Sequence, residues 1–123
     1  MGLKKENNDF ASLWPQLEYI SRMYLILNDY ENVWKYATMG VSIGQQLRSY
    51  KKYYTADEID AGDVDCRLFR AYVHMNNQQW EKAEEEIKKA IIGSGKSNYI
   101  GWKRDIENAK RYLDTARKDK GIS

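Results

Sequence analysis

The residues whose spacing comes closest to a chemical motif lie in the segment AIIGSGKS, residues 90–97. A glycine-rich loop of this kind holds nucleotide phosphates when a buried strand precedes it and a helix follows it, with Lys96 at the terminal phosphates and Ser97 on magnesium. Here the preceding segment is acidic with helical periodicity, and no Val- and Ile-rich strands are available to form a sheet. We therefore interpret Gly93 and Gly95 as helix terminators and Ser97 as the N-cap of the next helix, and we predict no cofactor.

A second candidate is the acidic segment TADEIDAGDVD, residues 55–65, which carries five carboxylates and no base. If Gly62 stood at the turn of a calcium-binding loop, Ile59 and Ala61 would occupy positions that require oxygen ligands. The segment therefore fails as a calcium loop. We predict instead a solvated loop over residues 55–63 whose last acids cap the following helix, with no metal bound.

Nucleophilic and metal-dependent catalysis lack the necessary side chains. The chain has one cysteine, Cys66, and one histidine, His74. On one helix these two residues would lie two turns apart, about 12 Å along the axis, which is too far for contact. Two such residues supply neither a zinc ligand set nor a catalytic triad. We predict no catalytic residues and a protein that is not an enzyme.

Length and composition limit the domain number and the compartment. With 123 residues, the chain is expected to form a single domain over 1–123. A single cysteine cannot form an internal disulfide, and the first residues, MGLKKENNDF, lack the apolar run of a signal peptide. No run of apolar residues is long enough to cross a membrane. We therefore expect a cytoplasmic protein without membrane contact.

The overall charge gives no sign of a nucleic-acid-binding protein, because 20 Lys and Arg oppose 18 Asp and Glu. Two local clusters keep that alternative open. Residues 48–54 interleave bases with tyrosines, a pattern typical of single-strand binding, and residues 103–120 contain a second set of bases diluted by acids. A small nucleic-acid-associated accessory protein is therefore the alternative function, although nucleic acid is disfavoured as a partner.

The spacing of apolar residues predicts an all-α fold. Leu13, Leu17, Ile20 and Tyr24 begin a helical series, with Ser12 as its N-cap and Pro15 in its first turn. The predicted helices cover about 12–28, 30–48, 64–76, 79–92 and 98–118. Short turns between them predict about five antiparallel helices, arranged as two helix-turn-helix hairpins and a C-terminal capping helix.

The two hairpins repeat with an offset of 50 residues. Tyr30 corresponds to Trp80, and Ser21 corresponds to Ala71. Each unit has a small residue in its first helix and a large aromatic at the start of its second. The segments WEKAEEEIKKAI and YENVWKYATMGV carry this pattern, which resembles the tetratricopeptide repeat, a helical-repeat family. A five-helix bundle without a true repeat stays open as the alternative.

The resemblance implies a protein-interaction module or adaptor whose first helices form an inner face for a peptide or partner protein. The positions that it places on that face are Glu18, Arg22, Ile26, Leu68, Tyr72, Asn76, Lys103, Ile106 and Lys110. Those predicted as partner-binding are Arg22, Ile26, Tyr72, Asn76, Lys103 and Lys110. Their bases predict a ligand that carries carboxylates. Self-association as a homo-oligomer is a further expectation.

Overall fold

The computed structural model describes residues 3–95, 97 and 99–121, with side chains from residue 12 onward. All regular structure in this part of the chain is α-helical, which confirms the predicted all-α fold. The helices are α1 (Leu3–Ile26), α2 (Tyr30–Ser49), α3 (Ala56–Ala61), α4 (Val64–Asn76), α5 (Trp80–Ser94) and α6 (Ile100–Asp119). Helices α1 and α2 form one hairpin, α4 and α5 form a second, and α6 packs on both α4 and α5.

The turns of the two hairpins have the same backbone geometry, 50 positions apart. Asn28 and Gln78 both have a φ of 58°. The N-cap residues that follow are also alike, with φ −91° and ψ 78° at Asp29 and φ −98° and ψ 72° at Gln79. Each N-cap amide donates to a carbonyl five residues earlier, at Tyr24 and at His74. The structure therefore repeats the offset seen in the sequence.

Small residues lie where the helices of each hairpin approach closely. Ser21 in α1 and Ala71 in α4 are both fully buried, as the offset predicts. Gly40 in α2 and Ala90 in α5 are also buried. The next pair of positions differs between the hairpins. Val41 in α2 is buried, whereas Ile91 in α5 is 40% exposed.

Helix α4 is central because its two sides belong to different hydrophobic clusters. One side packs with α5 and α6 through Leu68, Ala71 and Met75. The other packs with α2 through Phe69 and Val73. A helix that is apolar on most of its circumference must be covered on several sides, which fixes the positions of α1, α2, α5 and α6 around it.

The first helix starts much earlier than predicted. It begins at Leu3 rather than near residue 12, so Ser12 is not its N-cap and Pro15 lies inside it rather than in its first turn. No glycine or proline occurs between residues 3 and 14, so nothing in that stretch breaks the helix. Pro15 itself removes one helical hydrogen bond, which α1 tolerates.

The prediction of a loop over 55–63 is wrong for its central residues. Ala56–Ala61 form the short helix α3, which starts with a capping box between Thr55 and Glu58. Arg48 donates to the Glu58 carbonyl at 2.7 Å and to the Gly93 carbonyl at 2.8 Å, which joins α3 to α5. The acidic segment is therefore a packed element and not a solvated loop.

The glycines near residue 95 have two different roles. Gly95 ends α5 as predicted, with a φ of 54°. Gly93 lies inside α5, and a Cβ at this position would stand 2.9 Å from the Cβ of Ala61. Its role is therefore close packing against α3 and not termination. The N-cap of α6 is Tyr99 rather than Ser97. Lys96, the expected phosphate ligand, lies outside the described residues.

Candidate functional site

An open groove of about 470 Å³, here called the inner groove, lies between α1, α4 and α6. Helix α4 forms its floor, where residues at i, i+3 and i+4 spacing face one side of the helix. The α4 residues are Asp65, Leu68, Phe69, Tyr72, Met75 and Asn76. The walls are Arg22 and Leu25 from α1, and Asp105, Asn108, Tyr112 and Ala116 from α6, with Asn28 and Tyr30 closing one end.

Aromatic rings provide much of the contact surface of the inner groove. Tyr72 and Tyr112 meet edge to face with ring centroids 5.5 Å apart. The guanidinium of Arg22 lies 5.2 Å from the centroid of the Phe69 ring. Tyr112 remains 64% exposed, so its ring is available to a partner. Large rings that are only partly covered are typical of surfaces that bind proteins.

Carboxyl groups crowd one end of the inner groove. Burial, the nearby Asp63 and a hydrogen bond with Asp65 raise the pKa of Glu18 from 4.5 to about 9. Burial and the charge of Asp65 also raise the pKa of Asp105, although Arg22 lowers it. These carboxyls therefore outnumber the cations that could neutralise them.

Three of the six predicted partner-binding residues line the inner groove, namely Arg22, Tyr72 and Asn76. Lys103 and Lys110 do not line it, because they are two residues away from Asp105 and Asn108. Two residues correspond to about 200° around a helix, so lysines at these positions face away from the groove.

Ile26, the remaining predicted residue, lies outside the inner groove. It is 68% exposed and belongs to the outer face of α1, which comprises Leu13, Tyr19, Met23 and Ile26 together with Leu27 in the turn that follows the helix. All five side chains are exposed, and the charged side chains of α1 between residues 12 and 26 are Glu18 and Arg22. The outer face of α1 therefore exposes five large apolar side chains that no other described helix covers.

The sequence prediction missed Asp65, Asp105 and Tyr112 as groove residues. A signal for α6 was present, since Ile106, Ala109 and Leu113 form its buried side. Asp105 and Tyr112 each directly precede one of these buried residues. They therefore lie at the edge of the buried side of α6, where it borders the groove. Asp65 carries no such signal in the sequence, because it ends the acidic segment 55–65, whose composition indicates solvated side chains.

A second depression, of about 520 Å³, lies between α2 and the turn of the second hairpin. Its walls include Trp34, His74 and Gln79. His74 accepts or donates a hydrogen bond with Gln79 at 2.9 Å, and its ring meets Trp34 edge to face. Polar partners already surround the imidazole, so we regard this surface as part of the packing.

Glu86 is the centre of a buried ionic cluster on the same side of the molecule. Its carboxylate lies 3.1 Å from Arg67 and 2.9 Å from Arg70. Arg67 also donates to the carbonyls of Asp60 and Ala61, which joins α3 to α4. These groups bind one another, so the cluster stabilises the fold rather than offering a reactive side chain.

The basic clusters considered for nucleic acid are partly engaged by the protein itself. Arg48 is held by two carbonyls and stacks on Tyr54, and Arg117 pairs with Glu84. Lys110 lies 3.5 Å from Glu107. Tyr50 and Tyr53 remain exposed beside the 48–54 bases. Part of the positive charge of both clusters is therefore engaged within the protein.

Cys66 is a buried packing residue beside the inner groove. Burial raises the pKa of its thiol, and the carboxyl of Asp63 adds to that effect. Among the residues that the structure describes, no group of three or more His, Cys, Asp or Glu is arranged to hold a metal ion. None of the described helices is long and apolar enough to span a membrane.

The part of the chain that the structure describes is all-α, with two similar hairpins, a final helix and an open groove between α1, α4 and α6. Comparison of the chain with protein-family models, curated proteins and solved structures gave no match. The function must therefore be argued from the groove.

Proposed function

We propose that this chain is a non-catalytic interaction module, built like a tetratricopeptide-repeat hairpin pair, that binds a segment of a partner protein in the inner groove. The observation that carries the proposal is the groove itself, where the rings of Tyr72 and Tyr112 are only partly covered and lie beside charged side chains. Aromatic anchors with a polar rim are the usual composition of a protein-binding surface.

The geometry of the groove favours a segment over a small molecule. Small-molecule sites enclose most of the ligand, whereas the inner groove is bounded by helices on three sides and open along its length. An extended or helical stretch of polypeptide can lie along α4 and present side chains to α1 and α6. A cytoplasmic location and an adaptor role belong to the same proposal.

Affinity capture with two matched variants tests this proposal. The groove variant carries R22A, Y72A and N76A, and the control variant carries K103A and K110A, two exposed lysines of α6 that face away from the groove. Proteins captured from a cell extract by wild type are quantified by mass spectrometry, and each is then purified for a direct binding measurement. We expect the groove variant to lose the purified partner and the control to keep it.

Equal binding by wild type and the groove variant would contradict the proposal. Circular dichroism of both variants shows whether a loss of binding reflects a loss of folding. This control is needed because Tyr72 is half-buried and its truncation removes packing against Tyr112. A variant with an unchanged helical spectrum and melting temperature that no longer binds supports a direct role of the groove.

The outer face of α1 is a second candidate surface, and we propose a second copy of the chain as its occupant. Five exposed apolar side chains lie on this side of the molecule, and an identical face of a second copy would remove them from water. Sedimentation velocity of wild type and of M23K/I26K tests this. A dimer that the double variant abolishes supports it, and a monomeric wild type at high concentration contradicts it.

A further inference from the structure

The charged side chains of the inner groove are mostly acidic, contrary to the sequence-based expectation of a basic face. Asp65 and Asp105 line the groove, and Arg22 is its only lining cation among the described residues. The lysines expected there, Lys103 and Lys110, face away from it. In the described part of the chain, neither aspartate forms an ion pair.

The carboxyls also act on one another. Asp65 hydrogen-bonds with Glu18 and with Asp105, so the acids at this end of the groove contact one another. Arg22 lies close enough to influence Glu18 and Asp105, and it is held over the ring of Phe69. Arg104 is a second cation that acts on Asp105. Within the residues that the structure describes, neither arginine forms an ion pair with Asp65 or Asp105, so an added cation would be stabilised at this end of the groove.

The rings beside the carboxyls suit the same kind of ligand. Arg22 over Phe69, at 5.2 Å, demonstrates that a guanidinium can occupy a ring face in this groove. Tyr72 on the floor and Tyr112 on the α6 wall offer further rings. Lysine and arginine are attracted both to ring faces and to carboxylates.

We propose that the occupant of the inner groove is a basic segment of a partner protein, in which Lys or Arg side chains reach Asp65 and Asp105 while neighbouring apolar side chains lie on the aromatic floor. This inference rests on the proposed function, since it specifies the chemistry of the segment that the groove binds. An acidic segment would bring its carboxylates against those of the groove and would be rejected.

Binding of a cation also displaces a proton. Glu18 faces Asp63 and Asp65 at the start of α4 and Arg22 on its own helix, and it retains its proton at neutral pH. A lysine or arginine close to Asp65 stabilises the ionised form of Glu18, so complex formation releases protons. Titration calorimetry in buffers of different ionisation enthalpy measures this release.

A phage-displayed random dodecapeptide library is the probe that tests the inference. It is selected in parallel against wild type, against D65N/D105N and against the control E107Q/D114N, which removes two exposed acids of α6 outside the groove. We expect at least a twofold enrichment of Lys and Arg on wild type and on the control, and none on D65N/D105N. One selected peptide should bind D65N/D105N at least tenfold more weakly than wild type.

The outcomes separate the two proposals. Acidic or uncharged peptides could be enriched instead, and could fail to bind the groove variant R22A/Y72A/N76A. That result overturns the basic ligand and leaves groove binding intact. No enrichment on any variant that retains its helical spectrum contradicts both. If wild type sediments as a dimer that D65N/D105N abolishes, the occupant is a second copy of the chain, and the proposed partner is wrong.

Discussion

The close approach of α2 to α4 at Gly40 gives a prediction whose size follows from the structure. A methyl group at Gly40 would stand 2.4 Å from Sγ of Cys66, far inside the normal contact distance. Cys66 is fully buried, and its thiol hydrogen-bonds with Asp63, so the sulfur cannot move away without losing that bond. G40A should therefore force a rearrangement between the two helices.

Two effects of opposite sign act in G40A. Overpacking of this kind destabilises by about 1–3 kcal/mol, and replacing glycine by alanine inside a helix stabilises by about 1 kcal/mol. At 2.4 Å from the sulfur the steric cost lies in the upper part of that range, so the free energy of unfolding should fall by about 1–2 kcal/mol. Trimming the sulfur in C66A removes the closest atom and leaves the Cβ of Cys66 at 3.3 Å. The double variant G40A/C66A should therefore recover at least about 1 kcal/mol relative to additivity.

Gly44, one turn further along α2, is the matched comparison. A methyl group there would meet the backbone nitrogen of Asp63 at 2.6 Å and the carbonyl carbon of Gly62 at 2.9 Å. Backbone atoms cannot be trimmed, so G44A should be destabilising in the presence and absence of C66A. Urea unfolding followed by circular dichroism at 222 nm measures all these variants. A G40A protein as stable as wild type, or a double variant that is merely additive, would refute the packing argument.

Two further predictions concern buried and partly buried carboxyls. Because the pKa of Glu18 is raised to about 9, the folded state binds its proton more tightly than the unfolded state, and stability falls as pH rises from about 4.5 to about 9. E18Q should be more stable than wild type at pH 9, by about 1–2 kcal/mol after solvent screening, with the difference vanishing near pH 5, as measured by urea unfolding across pH. E86Q leaves the buried Arg67 and the partly buried Arg70 without their counter-charge and should lower the free energy of unfolding by about 3–5 kcal/mol in thermal or urea unfolding. The exposed neighbour in E85Q should change it by less than about 0.5 kcal/mol, and similar values for the two variants would contradict the role given to the ionic cluster.

Helix positions were predictable where the signals are local. The bounds of α4 agree with the predicted 64–76, because Asp63 is an N-cap whose side chain accepts a hydrogen bond from the Cys66 amide, and the apolar spacing begins at Val64. The hairpin turns were also predictable, since Asn28 and Asp29 have the local chemistry that a positive φ and an N-cap require.

Interactions between distant residues were not predictable in the same way. Helix α3 has six residues and is held by Arg48 and Arg67, which lie in α2 and α4 and donate to its carbonyls. A window of sequence that contains only the acids indicates a loop. The rotation of α6 likewise depends on which residues pack on α4 and α5, and this rotation decides that Asp105 rather than Lys103 faces the groove.

The central claim is that a partner segment occupies the inner groove, and site-specific photocrosslinking tests it most directly. Benzoylphenylalanine is introduced at Asn108, which lines the groove, or at Lys110, which is exposed on the same helix but faces away. Illumination in cells should give a discrete partner adduct from position 108 and none from position 110. Adducts of equal yield from both positions, or from position 110 alone, would contradict the claim.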